Sequence, residues 1–314
     1  MAATGVETVR AAFFWALVQP HPHGSSGSSL NFDSTDALVL AAAGRGLTLL
    51  PVVQWPPDWA AVEPGVFGSP PADHDAVRRL FTALVERYGP RGSLWRERRN
   101  VPRRPVRAWQ VFNEPNIVGF WSVQPFDRDY VATLRAAESG IHDVDPSATV
   151  VLAGLTGDSW KALSALYAAG ARGLFDAVAI HPYSPSPANV LRTVRYARNV
   201  MRINGDGALP IWVTEFSWPA ASNPPPWAVT AFGGPITDSR QARLLDRTMR
   251  RFVAARERLG IARLVWYTWL SHEATESLNP WNYAGLRRIR NGVRHSAPAL
   301  RAFRRWARRL ARQP

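Results

Sequence analysis

One strand-like segment ends on a carboxylate and reads Trp109-Gln110-Val111-Phe112-Asn113-Glu114-Pro115. Aromatic and β-branched residues favour a strand, and the proline makes the chain turn directly after Glu114. A second segment repeats the pattern around Glu215 and reads Ile211-Trp212-Val213-Thr214-Glu215-Phe216-Ser217-Trp218-Pro219. Each segment therefore predicts a buried strand that carries a glutamate at its carboxyl end.

Strand-like and helix-like segments alternate along the whole chain. The predicted strands cover residues 6–15, 47–54, 106–113, 149–154, 175–181, 211–217 and 262–269, and the predicted helices cover residues 34–44, 73–88, 126–142, 158–169, 187–203, 238–259 and 297–310. Strands that read as continuous apolar runs are typical of a parallel sheet covered by helices. No glycine-rich phosphate loop follows the first strand, which disfavours a doubly wound dinucleotide fold. The predicted architecture is an α/β fold, a (β/α)8 TIM barrel, with residues 1–314 forming a single domain.

Seven barrel strands are visible in the sequence, and they correspond to strands two to eight. The first strand and first helix of a standard barrel would lie upstream of Met1. Active sites of such barrels lie at the carboxyl ends of the strands, so we expect Glu114 and Glu215 to meet there.

Strand alternation predicts which side chains point into the barrel, because every second residue shares a face. The predicted inward sets are Gln110 and Phe112 with Glu114, Ile211 and Val213 with Glu215, Ala177 and Ala179 with His181, and Val265 and Tyr267 with Trp269. The predicted outward side chains include Trp109, Trp212 and Trp266, for which core packing is the expected role.

The composition is that of a globular chain, since 46% of the 314 residues are hydrophobic. No apolar run approaches the roughly 20 residues of a membrane span, so no such span is expected. Cysteine is absent, which excludes disulfides and thiolate metal sites. His21 and His23 have poor spacing for a metal and lie in a Gly/Ser-rich loop, so no metal site is expected.

The chain is strongly basic, with 38 Lys and Arg residues against 24 Asp and Glu residues and a net charge of +14. Such a surface can attract nucleic acid or an acidic polysaccharide. The basic residues are scattered over predicted helices, however, and lack the aromatic-interleaved patch expected of nucleic-acid readers. Nucleic acid is therefore the weaker candidate partner.

Tryptophan is abundant, with 14 residues, and half of them fall at or just beyond predicted strand ends. Rings in such places can stack on the faces of sugars. The tryptophans concerned are Trp15, Trp55, Trp59, Trp121, Trp218, Trp227 and Trp281.

The residues around the two glutamates resemble those of clan A glycoside hydrolases. Asn113-Glu114-Pro115 is similar to the acid/base signature of that clan, and Thr214-Glu215-Phe216 is similar to its nucleophile signature. The segments 176–183 and 210–215 are most similar to family 39-type enzymes, including bacterial exopolysaccharide endoglycosidases, with family 5 cellulase-like enzymes as the near neighbour. The resemblance spans nearly the whole chain and departs from the family at the N-terminus, where the first strand is missing.

The resemblance implies a retaining hydrolase of β-linked oligo- or polysaccharides that needs no cofactor. Glu114 would protonate the leaving oxygen and later activate water, and Glu215 would attack the anomeric carbon. The other implied substrate-binding residues are Arg10 beside the nucleophile, Asn113 at the sugar 2-hydroxyl, His181 and Tyr183 near the carboxylate, Trp269 under the sugar, and the strand-end rings of Trp55 and Trp218.

Two functions of other classes stay open on the sequence alone. A non-catalytic carbohydrate-binding barrel is the first, because the first strand is missing. A basic nucleic-acid-binding protein is the second, because of the positive charge.

Overall fold

The computed structural model describes residues 1–25, 27, 29–221, 236–273 and 279–311. The strands are β1 (Thr8–Phe14), β2 (Thr48–Gln54), β3 (Ala108–Val111), β4 (Thr149–Val151), β5 (Leu155–Thr156), β6 (Val178–His181), β7 (Ile211–Phe216), β8 (Ile261–Trp266), β9 (Leu270–His272), β10 (Arg287–Arg290) and β11 (Val293–Ser296). The helices are α1 (Trp15–Val18), α2 (Asp33–Ala43), α3 (His74–Tyr88), α4 (Ser93–Glu97), α5 (Asp127–His142), α6 (Ser159–Ala168), α7 (Pro187–Ile203), α8 (Asp238–Leu259) and α9 (Pro298–Leu310).

Parallel strands form the wall of a barrel. They pair in the orders β1-β2-β3-β4 and β5-β6-β7-β8. The two sets are linked by a parallel bridge from Val151 to Ala177, and a second bridge joins Asn113 to Gly154. β4 and β5 thus act as two pieces of one strand, and the predicted TIM-barrel class is confirmed.

The barrel wall is open along one side. Among the described residues, β1 and β8 form no ladder with each other, and the Arg263 guanidinium reaches across to the Thr8 hydroxyl at 3.2 Å. Both strands keep an unpaired edge, which leaves their side chains half-buried or exposed along much of their length. We call this side of the barrel the seam.

The buried apolar side chains of the described residues form two clusters. The larger one packs between the strands and the surrounding helices, as in other covered parallel sheets. The smaller one lies inside the barrel and contains Leu50, Val151, Ala177, Ala179 and Trp212. The inward direction predicted for the two alanines is confirmed, and their small size leaves room above them for the ring of His181.

The predicted directions of several side chains are wrong. Phe112, Ile211 and Val213 were predicted to point inward, but they belong to the larger cluster outside the barrel, where Phe112 packs against Trp121 with ring centroids 5.4 Å apart. Trp212 was predicted to point outward and belongs to the cluster inside the barrel. Strict alternation breaks down because Phe112 and Glu114 have positive φ angles of 62° and 43°. In β7 the pairing register with β8 shifts between Val213 and Phe216. The strand is therefore irregular at Glu215, and the alternation of its side chains is broken there.

Local capping explains why two helices begin and end where the sequence predicts. The Ser186 side chain accepts a hydrogen bond from Ala188 N and Pro187 opens α7, which suits the first helical turn. Thr237 caps α8 in the same way, and Gly260 ends it in the left-handed conformation, with φ 58°. Both helices keep the predicted bounds.

Several short elements were not predicted: α1, α4, and the three-stranded sheet of β9, β10 and β11. The buried guanidinium of Arg288 ties this sheet to the start of α8 through Asp238 at 2.6 Å and also binds Glu273 at 3.2 Å. Within the described ranges, none of the helices has both the length and the apolar composition that a membrane crossing needs.

Candidate active site

Separate strands deliver the polar side chains to one end of the barrel. Asn113 and Glu114 lie two and three residues beyond the end of β3, His181 is the last residue of β6, and Glu215 lies near the end of β7. Arg10, in the middle of β1, reaches up from below them. The structure therefore brings the sequence-predicted glutamates together at the carboxyl ends of the strands.

Glu215 is held by two donors on its two oxygens. Arg10 Nη1 donates to Oε1 at 2.5 Å, and the Tyr183 hydroxyl donates to Oε2 at 2.8 Å. Burial by itself raises the pKa of Glu215. Three effects lower it and together outweigh burial: the electrostatic interactions with His181 and with Arg10, and the hydrogen bond from Tyr183. The pKa of Glu215 consequently lies below its usual value, and the carboxylate is kept ionised.

Glu114 has a different environment. Its Oε1 lies 2.7 Å from His181 Nδ1, and its backbone N–H donates to Gly154 O at 3.0 Å. One oxygen of Glu114, one oxygen of Glu215 and one His181 nitrogen all lie within 4.8 Å of one another. Glu114 and Glu215 are each 8% exposed, so they face a sheltered space and not bulk water.

His181 is completely buried between the two carboxylates. Its Nε2 lies 3.0 Å from the Thr214 hydroxyl, which can donate or accept and so suits either tautomer of the ring. A Cβ atom on Gly154 would lie 2.0 Å from Nε2, so only glycine leaves room for this ring. Gly154 and Thr214 therefore position His181, which in turn contacts Glu114.

Arg10 organises the floor of the site. Besides Glu215, it donates from Nε to Gln110 Oε1 at 2.7 Å and from Nη2 to Asn113 Oδ1 at 2.6 Å. Because the Asn113 oxygen is used in this way, its amide nitrogen is the group that can donate to a ligand. Gln110 is fully buried, and its hydrogen bond with Nε fixes the orientation of the guanidinium group.

Aromatic rings line the space next to Glu215. Tyr183 packs on Trp281 with centroids 4.6 Å apart, and Trp281 in turn contacts Tyr267 at 5.4 Å. Burial and the nearby Glu215 carboxylate raise the pKa of Tyr267, so its hydroxyl stays protonated. Trp281 and Tyr267 therefore form an aromatic wall beside the nucleophile candidate.

The three tryptophans that the resemblance assigns to substrate binding have different surroundings. Trp55 lines the cavity, with its ring stacked 4.6 Å from Phe14 at an interplanar angle of 4°. Trp218 is 2% exposed and its Nε1 donates to Ser184 O at 2.8 Å, so it lies behind the site and offers no open face. Trp269 borders the cavity, but its ring packs on Phe303 of α9 with centroids 6.5 Å apart. Of the other strand-end tryptophans, Trp15 and Trp121 are buried in the core and offer no open face, and Trp227 lies outside the described residues.

A cavity of about 800 Å³ opens above the carboxylates and continues down the seam between β1 and β8. Two polar atoms along it, Gln54 Oε1 and Trp55 Nε1, are buried and have no hydrogen-bond partner among the described residues. A buried acceptor and a neighbouring donor without partners are suited to a hydroxyl of a bound ligand, which can donate and accept at once.

Several residues of the site were not singled out from the sequence as functional. They are Gln54, Gln110, Gly154, Thr214 and Tyr267. Of these, only Gly154 could have been recognised from the sequence, since a glycine within a strand often marks a place where another group approaches the backbone closely. The others carry no local signal, because a glutamine or threonine in a strand acquires its role only from its spatial neighbours.

Glu114, His181 and Glu215 also have the spacing of a metal-ligand set, and they form such a set within the described part of the chain. The Arg10 guanidinium already occupies Glu215 Oε1, however. A cation there would face that positive charge at short range, so the donor set does not fit a divalent metal.

Comparison with known proteins gives relatives of one kind, although no family model matches the chain. A beta-xylosidase of Geobacillus stearothermophilus is 26% identical over 174 residues, which is 48% of this chain and 32% of that enzyme. A family 39 glycoside hydrolase from Bacteroides cellulosilyticus WH2 superposes with a TM-score of 0.70 at 21% identity, over 99% of this chain and 60% of the other. A monomeric beta-xylosidase from Caulobacter crescentus CB15 superposes with a TM-score of 0.68 at 19% identity, over 96% of this chain and 61% of the other.

These likenesses confirm, at the level of the fold, the resemblance to family 39 glycoside hydrolases predicted from the sequence. This chain spans about a third of the curated relative and about 60% of the two solved structures.

Proposed function

We propose that this protein is a retaining glycoside hydrolase that cleaves β-linked sugar substrates by double displacement. The observation that carries the proposal is the approach of Glu114 and Glu215 oxygens to within 4.8 Å. Retaining enzymes hold their carboxyl groups about 5 Å apart, whereas inverting enzymes leave about 6.5–9.5 Å for a water molecule. The fold likeness to glycoside hydrolases supports the same conclusion.

The surroundings of the two carboxylates divide their roles. Glu215 is the nucleophile, because Arg10 and Tyr183 keep it ionised. Glu114 is the acid and base, because its side chain is held by His181 and lacks a guanidinium partner among the described residues. Two carboxyl groups with such unlike environments are the usual basis of this chemistry.

In the first step, an oxygen of Glu215 attacks the anomeric carbon while Glu114 gives its proton to the departing glycosidic oxygen. The bond from the anomeric carbon to that oxygen breaks, and a glycosyl ester on Glu215 forms. Tyr183 and Arg10 position the attacking carboxylate, and the Asn113 amide nitrogen can donate to the sugar 2-hydroxyl.

In the second step, Glu114 is ionised and takes a proton from water, and the water oxygen attacks the same carbon. The ester bond to Glu215 breaks and the carboxylate is restored. Two displacements at one carbon return its original configuration.

Product stereochemistry tests this proposal directly. Wild-type protein mixed with an aryl β-glycoside is expected to release the β-anomer first, as followed by proton NMR within minutes of mixing. Initial release of the α-anomer would contradict retention. Sugar binding measured by calorimetry with no turnover of any β-glycoside would instead support the carbohydrate-binding barrel.

The pH profile gives a second test that addresses Tyr183. A Tyr183→Phe variant loses the hydrogen bond that helps to lower the pKa of Glu215, so that pKa rises. A nucleophile with a higher pKa is protonated at higher pH, so the acid limb of kcat/KM is expected to move to higher pH. The profile is measured with aryl β-glycosides across the acid range. If the acid limb stays at the wild-type pH, Tyr183 does not lower the pKa of Glu215.

A further inference from the structure

An apolar rim lies on the Glu114 side of the cavity. It is formed by residues 57–72, between β2 and α3, and residues 114–124, between β3 and α5. Its exposed apolar side chains are Val62, Val66, Phe67, Ile117 and Val118, with Phe67 63% and Val118 64% exposed. An exposed apolar patch beside a cavity is typical of a binding surface.

The two loops of the rim are fastened to each other. Ser122 N donates to Gly68 O at 2.8 Å, and the Ser122 hydroxyl donates to the Glu63 carboxylate. A Cβ on Gly68 would lie 2.8 Å from Gly119 O, so glycine is required for the loops to approach this closely. The rim is thus a built surface and not two independent loops.

A chain of rings joins the rim to the site. Trp55 contacts Phe67 at a centroid distance of 4.9 Å, and Phe67 contacts Phe120 at 6.3 Å. These three rings line the same cavity as Glu114 and Glu215. A molecule bound at the carboxylates can therefore extend directly onto the rim.

The reaction geometry indicates which part of a substrate would lie there. The nucleophile attacks opposite to the bond that breaks, so the leaving group points away from Glu215 and towards the acid. The chain turns from Glu114 straight into the rim, since Ile117 N donates to Glu114 O at 3.1 Å. The rim is consequently on the leaving-group side.

Polar side chains of the rim are engaged in internal bonds. Asp58 accepts from Gly65 N at 2.9 Å, Asn116 donates to Thr156 O at 2.9 Å, and Gln124 donates to Trp121 O at 2.8 Å. The unpartnered atoms of Gln54 and Trp55 belong to the cavity and not to these two loops. On the loops, a sugar leaving group would lose the water bound to its hydroxyls and gain few hydrogen bonds in return, whereas an alkyl or aryl group has no hydroxyl to desolvate.

We propose that the leaving group of the substrate is apolar, an alkyl or aryl group seated on the rim. This inference rests on the proposed hydrolase function. It replaces the oligo- or polysaccharide substrate predicted from the sequence with β-glycosides of an apolar alcohol or phenol.

An alkyl-chain series tests the rim without changing the chemistry of the leaving oxygen. Methyl, butyl and octyl β-D-xylosides and β-D-glucosides are compared with xylobiose and cellobiose on the wild-type protein. We expect kcat/KM to rise with chain length, by up to about fourfold for each CH₂ group that is fully buried, and to be higher for octyl glycosides than for the disaccharides.

The variant Phe67→Ser should flatten this dependence and lower kcat/KM for octyl glycosides about tenfold more than kcat/KM for methyl glycosides. Val293→Ser is the matched control, because Val293 is 57% exposed on β11 and lies outside the cavity lining. It should keep the wild-type slope.

Affinity is measured in parallel by calorimetry, so that failure of hydrolysis and failure of the rim are told apart. One outcome would refute the hydrolase function and support the apolar binding role of the rim. In it, no glycoside is turned over, octyl glycosides still bind more tightly than methyl glycosides, and only Phe67→Ser loses this difference in affinity. If neither turnover nor affinity depends on chain length, or if disaccharides are preferred, the proposed apolar leaving group is wrong.

Discussion

Replacing Glu215 with glutamine is expected to lower kcat/KM for β-glycosides by on the order of 10⁴-fold or more. Glutamine keeps the size of the side chain, but its neutral amide cannot form the ester to the anomeric carbon. Arg10 would also lose the carboxylate that it binds at 2.5 Å. Steady-state rates on 4-nitrophenyl β-D-xyloside and β-D-glucoside measure the loss.

Two additional measurements make this result specific to the nucleophile. Wild-type protein treated with a 2-deoxy-2-fluoro β-glycoside should carry a covalent sugar on the peptide that contains Glu215, as seen by mass spectrometry, and Glu215→Gln should carry none. Glu257→Gln on α8 is the control, because Glu257 is exposed on a helix and does not line the cavity. A sugar adduct on another peptide would assign the nucleophile elsewhere.

Replacing Glu114 with glutamine is expected to have an effect that depends on the leaving group. For methyl β-glycosides, whose leaving oxygen needs a proton, kcat/KM should fall by about 10²–10⁴-fold. For 2,4-dinitrophenyl β-glycosides the first step needs little acid assistance, so kcat/KM should fall much less. Hydrolysis of the glycosyl-enzyme would then become slow, because the base for water is also lost.

Azide provides the diagnostic test of this variant. As a small anion that needs no base, it should restore turnover of dinitrophenyl glycosides and yield a β-glycosyl azide. The wild-type protein and Glu257→Gln should give the free sugar under the same conditions. An equal loss on both substrate classes, with no effect of azide, would remove Glu114 from the acid and base role.

Local sequence rules predicted the long elements well and the short ones poorly. α7 and α8 keep their predicted bounds because Ser186, Thr237 and Gly260 act on their own helix ends. The sheet of β9 to β11 was missed because its strands have only three or four residues each and are held by the distant side chains of Asp238 and Gln241 on Arg288.

Strand alternation failed at the point where the site is built. The positive φ angles of Phe112 and Glu114 and the register shift in β7 turn Asn113 with Glu114, and Thr214 with Glu215, towards the same space. A two-residue period cannot represent such an irregularity, so Phe112 and residues 211–213 were assigned to the wrong faces.

The amino-acid order by itself determined the barrel class and the two strands that end on glutamates, because hydrophobic periodicity and turn residues act over a few neighbouring positions. Only the tertiary structure forms the contact that keeps Glu215 ionised, since Arg10 and Glu215 are 205 residues apart in the chain and their hydrogen bond exists only once the strands are side by side. It also decided that Trp55 borders the cavity while Trp218 is buried, although both follow predicted strands. Exposure and charge state depend on neighbours from the whole barrel, and those neighbours are brought together by packing.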